Sequence, residues 1–133
     1  MAFYRTREGA ITAADSFTAL GSLYGQSTTA SVQLPKQATS IVGIIASVAS
    51  DSATNGATTF SVQLSGDGLS NGQETFCIGS QGVDGTPASN GMTNLPFTLD
   101  VAIPVTGSNQ VSIAGAMDTD VGTVAMAVTL VLA

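Results

Sequence analysis

The sequence has no histidine and no tryptophan, and it has a single cysteine. Without histidine, the chain lacks the commonest general base and metal ligand. The lone Cys77 excludes an intrachain disulfide, and it has no imidazole that could activate it as a nucleophile. A Ser-Lys dyad would have to use Lys36, which follows Pro35 at the end of a strand pattern. We therefore expect a protein that is not an enzyme and that needs no cofactor, and a small hydrolase is the least favoured hypothesis.

Charge is also scarce, especially positive charge. Charged residues make up 9% of the chain, against about 25% in an ordinary soluble domain. The net charge is −6, and the three cations Arg5, Arg7 and Lys36 all precede Gln37. Such a body repels nucleic acid, so we do not expect it to bind DNA or RNA. A surface of Ser, Thr and Gly instead suits burial against other protein, which predicts a homo-oligomer in a large assembly. The alternative is a secreted or halotolerant β-domain with polar faces.

Long hydrophobic runs are absent too. No apolar stretch reaches the ~18 residues of a membrane helix, so no membrane span is expected. The start, "MAFYRTREGA", has no hydrophobic signal region, which indicates synthesis in a cytoplasm without export. Cys77 lies in the apolar run "TFCIG" and is expected to be a small core residue.

The chain does have short alternating apolar segments, punctuated by turns, from residue 30 onward. They predict seven strands, or eight with the N-terminal part, in an all-β antiparallel sandwich that is jelly-roll-like or immunoglobulin-like. We assign residues 30–133 to this domain and residues 1–29, with mixed apolar spacing, to an irregular N-terminal arm. The predicted core is Phe60, Val62, Leu64, Phe76, Ile78, Phe97, Leu99, Val101, Ile103, Val111, Ile113, Val124, Met126, Val128 and Leu130.

Individual segments carry more detailed expectations. "SIVGIIASVAS" is apolar on both faces, which predicts a central strand with a bulge near Gly43. Asn71-Gly72 favours a tight hairpin, and "QGVDGTPASNGMTN" is expected to be a long loop. Residues 95–116 alternate cleanly on both sides of the turn "TGSN", which predicts a hairpin. The last strand has a second face of small apolar residues that another subunit or the arm would cover.

Acidic residues form the only groups that suggest metal binding. Asp118 and Asp120 lie two residues apart, and Asp67 and Glu74 form a second oxygen-rich group with Asn71; either group is a candidate for Ca²⁺. Because Asp and Asn also make turns, we prefer the interpretation that no metal is bound.

The arm holds the candidate residues for contact with a neighbouring subunit. It contains both tyrosines and two of the three cations, and aromatic residues and arginine concentrate binding energy at interfaces. The alternative is an arm that folds back on its own sandwich as an edge strand. The predicted interface residues are Phe3, Tyr4, Arg5, Arg7, Phe17 and Tyr24.

With "FTLDVAIPVTGSNQVSIAGA", its Ser/Thr/Gly/Ala-rich strands and its N-terminal arm, the chain resembles small β-sandwich viral coat or decoration proteins. The resemblance implies a jelly-roll-like fold and a structural, self-assembling capsid subunit, located in the virion and in contact with other capsid proteins. One alternative is a subunit of an extracellular filament or sheath. Another is a carbohydrate- or calcium-binding β-sandwich module.

Overall fold

The fold is a sandwich of two antiparallel β-sheets. The computed structural model describes residues 3–21, 31–50, 55–84 and 90–133; of residues 50, 55, 56, 81–84 and 90–101 it describes the backbone alone. These described residues contain nine strands and no helix, and hence no helix long and apolar enough to cross a membrane. The strands are β1 (Phe3–Ile11), β2 (Thr18–Ala19), β3 (Ser31–Gln33), β4 (Ser40–Ser50), β5 (Asn55–Ser65), β6 (Gln73–Asp84), β7 (Asn90–Pro104), β8 (Gln110–Met117) and β9 (Val124–Leu132).

Sheet A has the strand order β1-β9-β4-β7, and sheet B has the order β2-β8-β5-β6 with β3 also paired to β8. The predicted antiparallel sandwich is confirmed, as are the seven strands after residue 30. β4 lies between β9 and β7, as its two apolar faces predict. The register of β4 shifts between Ile41 and Gly43, which places the expected bulge there.

The core lies between the two sheets and is built from the alternating apolar residues of their strands. In β9 every second residue from Val124 to Leu132 is at most 1% exposed. Burying one such side chain contributes about 1.5–3 kcal/mol. The predicted core residues with described side chains are buried, and Phe76 is partly buried against them. The side chains of Phe97, Leu99 and Val101 lie outside the described part.

Cys77 is exposed rather than buried, so its prediction as a core residue is wrong. In β6 the partly buried Phe76 and the buried Ile78 face the core. Strand alternation then turns Cys77 to the outside of sheet B. Because its neighbours Phe76 and Ile78 are apolar, the sequence suggested a buried Cys77, whereas only the two neighbours face the core.

The N-terminal residues differ from the expected irregular arm over the part that is described. Residues Phe3–Ile11 form a regular edge strand that pairs with β9, from Phe3 opposite Leu132 to Ile11 opposite Val124. The inward side of β1 holds two arginines and Gly9 between its apolar ends. The sequence of β1 therefore shows no alternation of apolar residues, although the backbone of this strand pairs regularly with β9.

The predicted hairpin of residues 95–116 is wrong, because its two strands lie in different sheets. β7 pairs with β4 in sheet A, whereas β8 pairs with β5 in sheet B. Residues between Val105 and Gln110 pass from one sheet to the other. Alternating apolar residues show that each strand has one buried face. They do not show whether two successive strands pair with each other or lie in different sheets. Pro96 and Pro104 fit β7, since it lies at the sheet edge where a missing N–H is tolerated.

Two connections also differ from their predictions. Strand β6 continues to Asp84 and β7 begins at Asn90, so much of the expected loop is paired backbone. Backbone hydrogen bonds do not require apolar side chains. The polar residues at the end of β6 and the start of β7 therefore gave no sign in the sequence that these segments are paired. Asn71-Gly72 belongs to a longer connection from Gly66, closed by a bond from the Gly66 amide to the Gly72 carbonyl at 3.2 Å.

Candidate functional site

Two arginines connect an edge of sheet A to sheet B. The Arg5 Nε donates to the Gln33 carbonyl at 3.0 Å, and the Arg7 Nη2 donates to the Ser31 carbonyl at 2.9 Å. Each arginine also donates through Nη1, at 2.9 Å, to the carbonyl of the residue that precedes it in β1. We call Arg5, Arg7, Ser31 and Gln33 the edge latch. It closes one side of the sandwich with charge, a common protection of sheet edges.

The predicted interface residues occupy different environments. Arg5 and Arg7 belong to the edge latch, and Phe3 packs against the core. Tyr4 and Phe17 are exposed, by 58% and 41% respectively, and are the large apolar side chains that the described residues leave to solvent. Tyr24 lies outside the described residues. The structure thus separates the five described residues into latch, core and surface rather than gathering them at one place.

Among the side chains that the structure describes, the outward side of sheet A, here outer face A, is nearly uncharged. It contains the exposed Tyr4 at one end and small residues over most of its area. The hydroxyls of Thr6 and Thr129 bond to each other across strands at 2.8 Å. Glu8 is the one ionisable carboxylate among its described side chains. In β1, β4 and β9 the described side chains of this face are Tyr4, Thr6, Glu8, Ala10, Ile45, Ser47, Ala49, Ala125, Ala127, Thr129 and Val131.

The outward side of sheet B, outer face B, has no charged side chain among its described residues. Its hydroxyls pair across strands: Ser31 with Ser112 at 2.9 Å, and Thr59 with Ser80 at 2.8 Å. Hydroxyls that are already paired cost less to remove from water than free ones. The face consists of Ser31, Gln33, Thr59, Ser61, Gln63, Ser65, Gln73, Thr75, Cys77, Ser80, Gln110, Ser112 and Ala114.

An open cleft of about 340 Å³ lies where outer face B meets the connection between β1 and β2. The Asp15 amide donates to the Met117 carbonyl at 2.9 Å, which holds this connection against the end of β8. Asp15 has a φ of 55°, in the left-handed region that Asp and Asn tolerate better than most residues. We call this the acidic cleft. It is lined by Asp15, Ser16, Phe17, Thr59, Ser61, Ala116, Met117 and Asp118.

The acidic cleft was not predicted from the sequence. In the sequence, Asp15 falls within the N-terminal arm of residues 1–29, and Asp118 suggests a metal ligand or a turn residue. A parallel bridge between Ala14 and Met117 brings the two segments together. No local pattern marks that bridge, so sequence reasoning had no signal for it.

Asp118 is fixed by the start of β5. Its Oδ1 accepts from the Thr58 hydroxyl at 2.9 Å and from the Thr59 amide at 2.8 Å. The Thr58 hydroxyl, which belongs to a buried residue, also accepts from the Thr119 amide at 3.1 Å. These bonds, above all the one from the Thr59 amide, lower the pKa of Asp118. The carboxylate therefore stays ionised at neutral pH and orients the connection after β8.

The remaining Ca²⁺ candidates take part in turns. Asp120 Oδ1 accepts from the Gly122 amide at 2.8 Å, and Glu74 accepts from the Asn71 amide group at 3.0 Å. Asp67 is exposed, and its backbone carbonyl accepts from Asn109 at 3.3 Å. Among the described residues, no three Cys, Asp or Glu side chains gather in a way that could hold a metal ion.

Comparisons with known proteins concern the fold. No family model matches the chain, and no curated protein matches it in sequence. Among solved structures, the chain is similar to the C-terminal family 22 carbohydrate-binding module of Clostridium thermocellum Xyn10B (13% identity, TM-score 0.41), covering 97% of this chain and 84% of that one. It is also similar to the VP2 subviral particle of infectious bursal disease virus (14% identity, TM-score 0.40), covering 99% of this chain and 36% of that one.

A third similar structure is IMPa from Pseudomonas aeruginosa in complex with an O-glycopeptide, at 12% identity and a TM-score of 0.37. The match covers 98% of this chain and 13% of that one, so this chain spans a small part of its length. The weak resemblance to viral coat proteins is confirmed, because the similar structures include proteins of virus particles. At these identities the similarity describes the sandwich and not an activity.

Proposed function

We propose that the protein is a structural, self-assembling subunit of a virus particle, without enzymatic activity. The observation that carries the proposal is the scarcity of charge on both outer faces. Among the described side chains, outer face A has one carboxylate, Glu8, and outer face B has no charge. Interface cores are depleted of charged residues, since desolvating a charge costs far more than desolvating a hydroxyl.

The chemistry of the faces supports contact with protein rather than with solvent. Cross-strand pairs such as Ser31–Ser112 satisfy each other's hydroxyls, so a partner can cover them at a small desolvation cost. The small residues of outer face A, such as Ala125 and Ala127, permit close approach of a second surface. The choice of a virus particle over an extracellular filament rests on the resemblance stated from the sequence. We accordingly propose the virion as its location.

Tyr4 and Phe17 are the interface residues that we retain from the sequence prediction. Both are exposed in the single chain, by 58% and 41%. Large aromatic side chains that lose their solvent at an interface often carry a large share of its binding energy. Arg5 and Arg7 contribute indirectly in this proposal, because the edge latch holds β1 and with it Tyr4.

The proposal is tested by placing a charge on one outer face without disturbing the core. Ala127→Lys on outer face A and Gln63→Lys on outer face B should each keep the β-sheet circular dichroism spectrum and lose assembly in light scattering. Ser70→Lys, in the exposed connection before β6, is the matched control and should assemble like the wild type. If both face variants assemble normally, the faces are not interfaces and the proposal fails.

A further inference from the structure

Within the part of the chain that the structure describes, no lysine or arginine lines the acidic cleft. The sequence contains three lysines and arginines in total. Arg5 and Arg7 donate to carbonyls of β3 in the edge latch. Lys36 is exposed and lies beside the 106–109 turn, where its backbone carbonyl approaches Gly107 closely.

Lys36 and the acidic cleft lie at opposite ends of strand β8. The 106–109 turn leads into Gln110 at the start of β8, and the cleft includes Met117 at its end. Seven residue steps along a strand span about 23 Å. A lysine side chain cannot bridge this distance, so Lys36 does not reach the cleft of its own chain.

The cleft has the composition that receives a cationic side chain. Asp15 and Asp118 supply carboxylates, and the pKa of Asp118 is low enough to keep it charged at neutral pH. Phe17, on the same lining, offers an aromatic ring to a cation. The hydroxyls of Ser16 and Thr59 also line the cleft and can accept a hydrogen bond from an ammonium group.

We propose that the acidic cleft receives Lys36 of a second copy of this chain. The argument is charge complementarity. Lys36, the one lysine or arginine outside the edge latch, is at one end of β8, and two carboxylates line the cleft at the other end, with no described lysine or arginine beside them. The partner is a second copy because the proposed function, on which this inference rests, keeps copies in contact. The resulting contact is head to tail, which generates rings or filaments according to whether the rotation closes.

A charge exchange between the two ends tests this contact. In Lys36→Glu, an added carboxylate would face the carboxylates of the next copy; in Asp15→Lys, two lysines would face each other. Each variant alone should need about a tenfold or higher protein concentration for half-maximal assembly in light scattering, since like charges at an interface repel. An equimolar mixture should assemble like the wild type, because each variant then finds an opposite charge at both of its ends.

Two further variants keep this test decisive. Asp15→Asn retains the left-handed backbone conformation that lysine strains, and it should weaken assembly if Asp15→Lys does not fold. Glu74→Lys changes the net charge as Asp15→Lys does, but in β6, two strands away from β8, and should assemble normally. Added salt should weaken the wild-type contact, because the charges are exposed to screening.

The outcomes separate this inference from the proposed function. If the wild type assembles and Lys36→Glu, Asp15→Lys and Asp15→Asn each assemble equally well, the head-to-tail contact is wrong and the proposed function stands. If each charge variant fails alone and the mixture also fails, the pairing of Lys36 with the cleft is wrong. If the wild type does not assemble at any concentration, both are wrong.

Discussion

Arg7 of β1 donates a hydrogen bond from Nη2 to the carbonyl oxygen of Ser31 in β3, at 2.9 Å, and thereby joins an edge of sheet A to sheet B. The contact spans the open side of the sandwich, where an apolar side chain would leave a backbone carbonyl without this donor. Arg5 repeats the arrangement two residues earlier with Gln33. Two of the chain's three cations thus act within the fold.

The edge latch predicts that Arg7→Lys destabilises the protein although it keeps the charge. Lysine lacks the planar fork that bonds two carbonyls at once, so we expect a loss of about 1–2 kcal/mol in the free energy of unfolding. Urea denaturation measures it. Glu8→Gln, the neighbouring residue on outer face A, is the control and should change stability by less than about 0.5 kcal/mol. Equal effects of the two variants would contradict the latch.

The core assignment predicts that Phe60→Ala is far more costly than Phe17→Ala. Phe60 is 1% exposed between the sheets, whereas Phe17 is 41% exposed. We expect Phe60→Ala to lower the unfolding free energy by about 3–5 kcal/mol, and Phe17→Ala to lower it by less than about 1 kcal/mol. Thermal denaturation of both variants would measure the difference, and a small effect at Phe60 would show that the sheet faces are assigned wrongly.

Gly107 is expected to tolerate no side chain. A Cβ atom there would collide with the backbone carbonyls of Pro35 and Lys36, which cannot move as a side-chain end can. Gly107→Ala should cost about 1–3 kcal/mol or more. At Gly72 a Cβ would meet nothing within 4 Å and φ is 79°, so Gly72→Ala should cost only the conformational strain, about 1–2 kcal/mol. A neutral Gly107→Ala would overturn the close approach of the two connections.

The lowered pKa of Asp118 predicts acid sensitivity with a defined sign. Because the folded pKa lies below the ordinary value of 3.8, the unfolded chain takes up the proton first as pH falls. The stabilisation by Asp118 is complete above that value and is lost as pH falls through the folded pKa. Melting temperatures between pH 7 and pH 2 should therefore fall more steeply for the wild type than for Asp118→Asn. Parallel profiles would exclude the contribution.

Apolar alternation predicted the elements of the sandwich better than their connections. β9, and β5 from Phe60 to Leu64, were predictable because every second residue there is apolar, and β4 because both of its faces are. The change of sheet between β7 and β8 was not predictable, because the apolar residues on either side of the 106–109 turn alternate as they would in a hairpin. β1 was concealed because Arg5 and Arg7 occupy inward positions where apolar residues are expected.

The composition predicted that some surfaces are covered by protein, but not which surfaces these are. Scarce charge indicated that surfaces are covered by protein, but the positions of the outer faces depend on strand order. The acidic cleft depends on the bridge between Ala14 and Met117, which joins segments far apart in the sequence. Long-range backbone contacts of this kind leave no periodic signal.

The size of the purified wild-type protein at neutral pH tests the central claim of self-assembly most directly. Sedimentation velocity over a wide concentration range, with electron microscopy of the same sample, would measure it. We predict large particles of repeating subunits. A subunit of a virus particle should form closed shells, whereas a subunit of an extracellular filament should form open filaments. A stable monomer of 13.2 kDa that persists at high concentration would contradict the account.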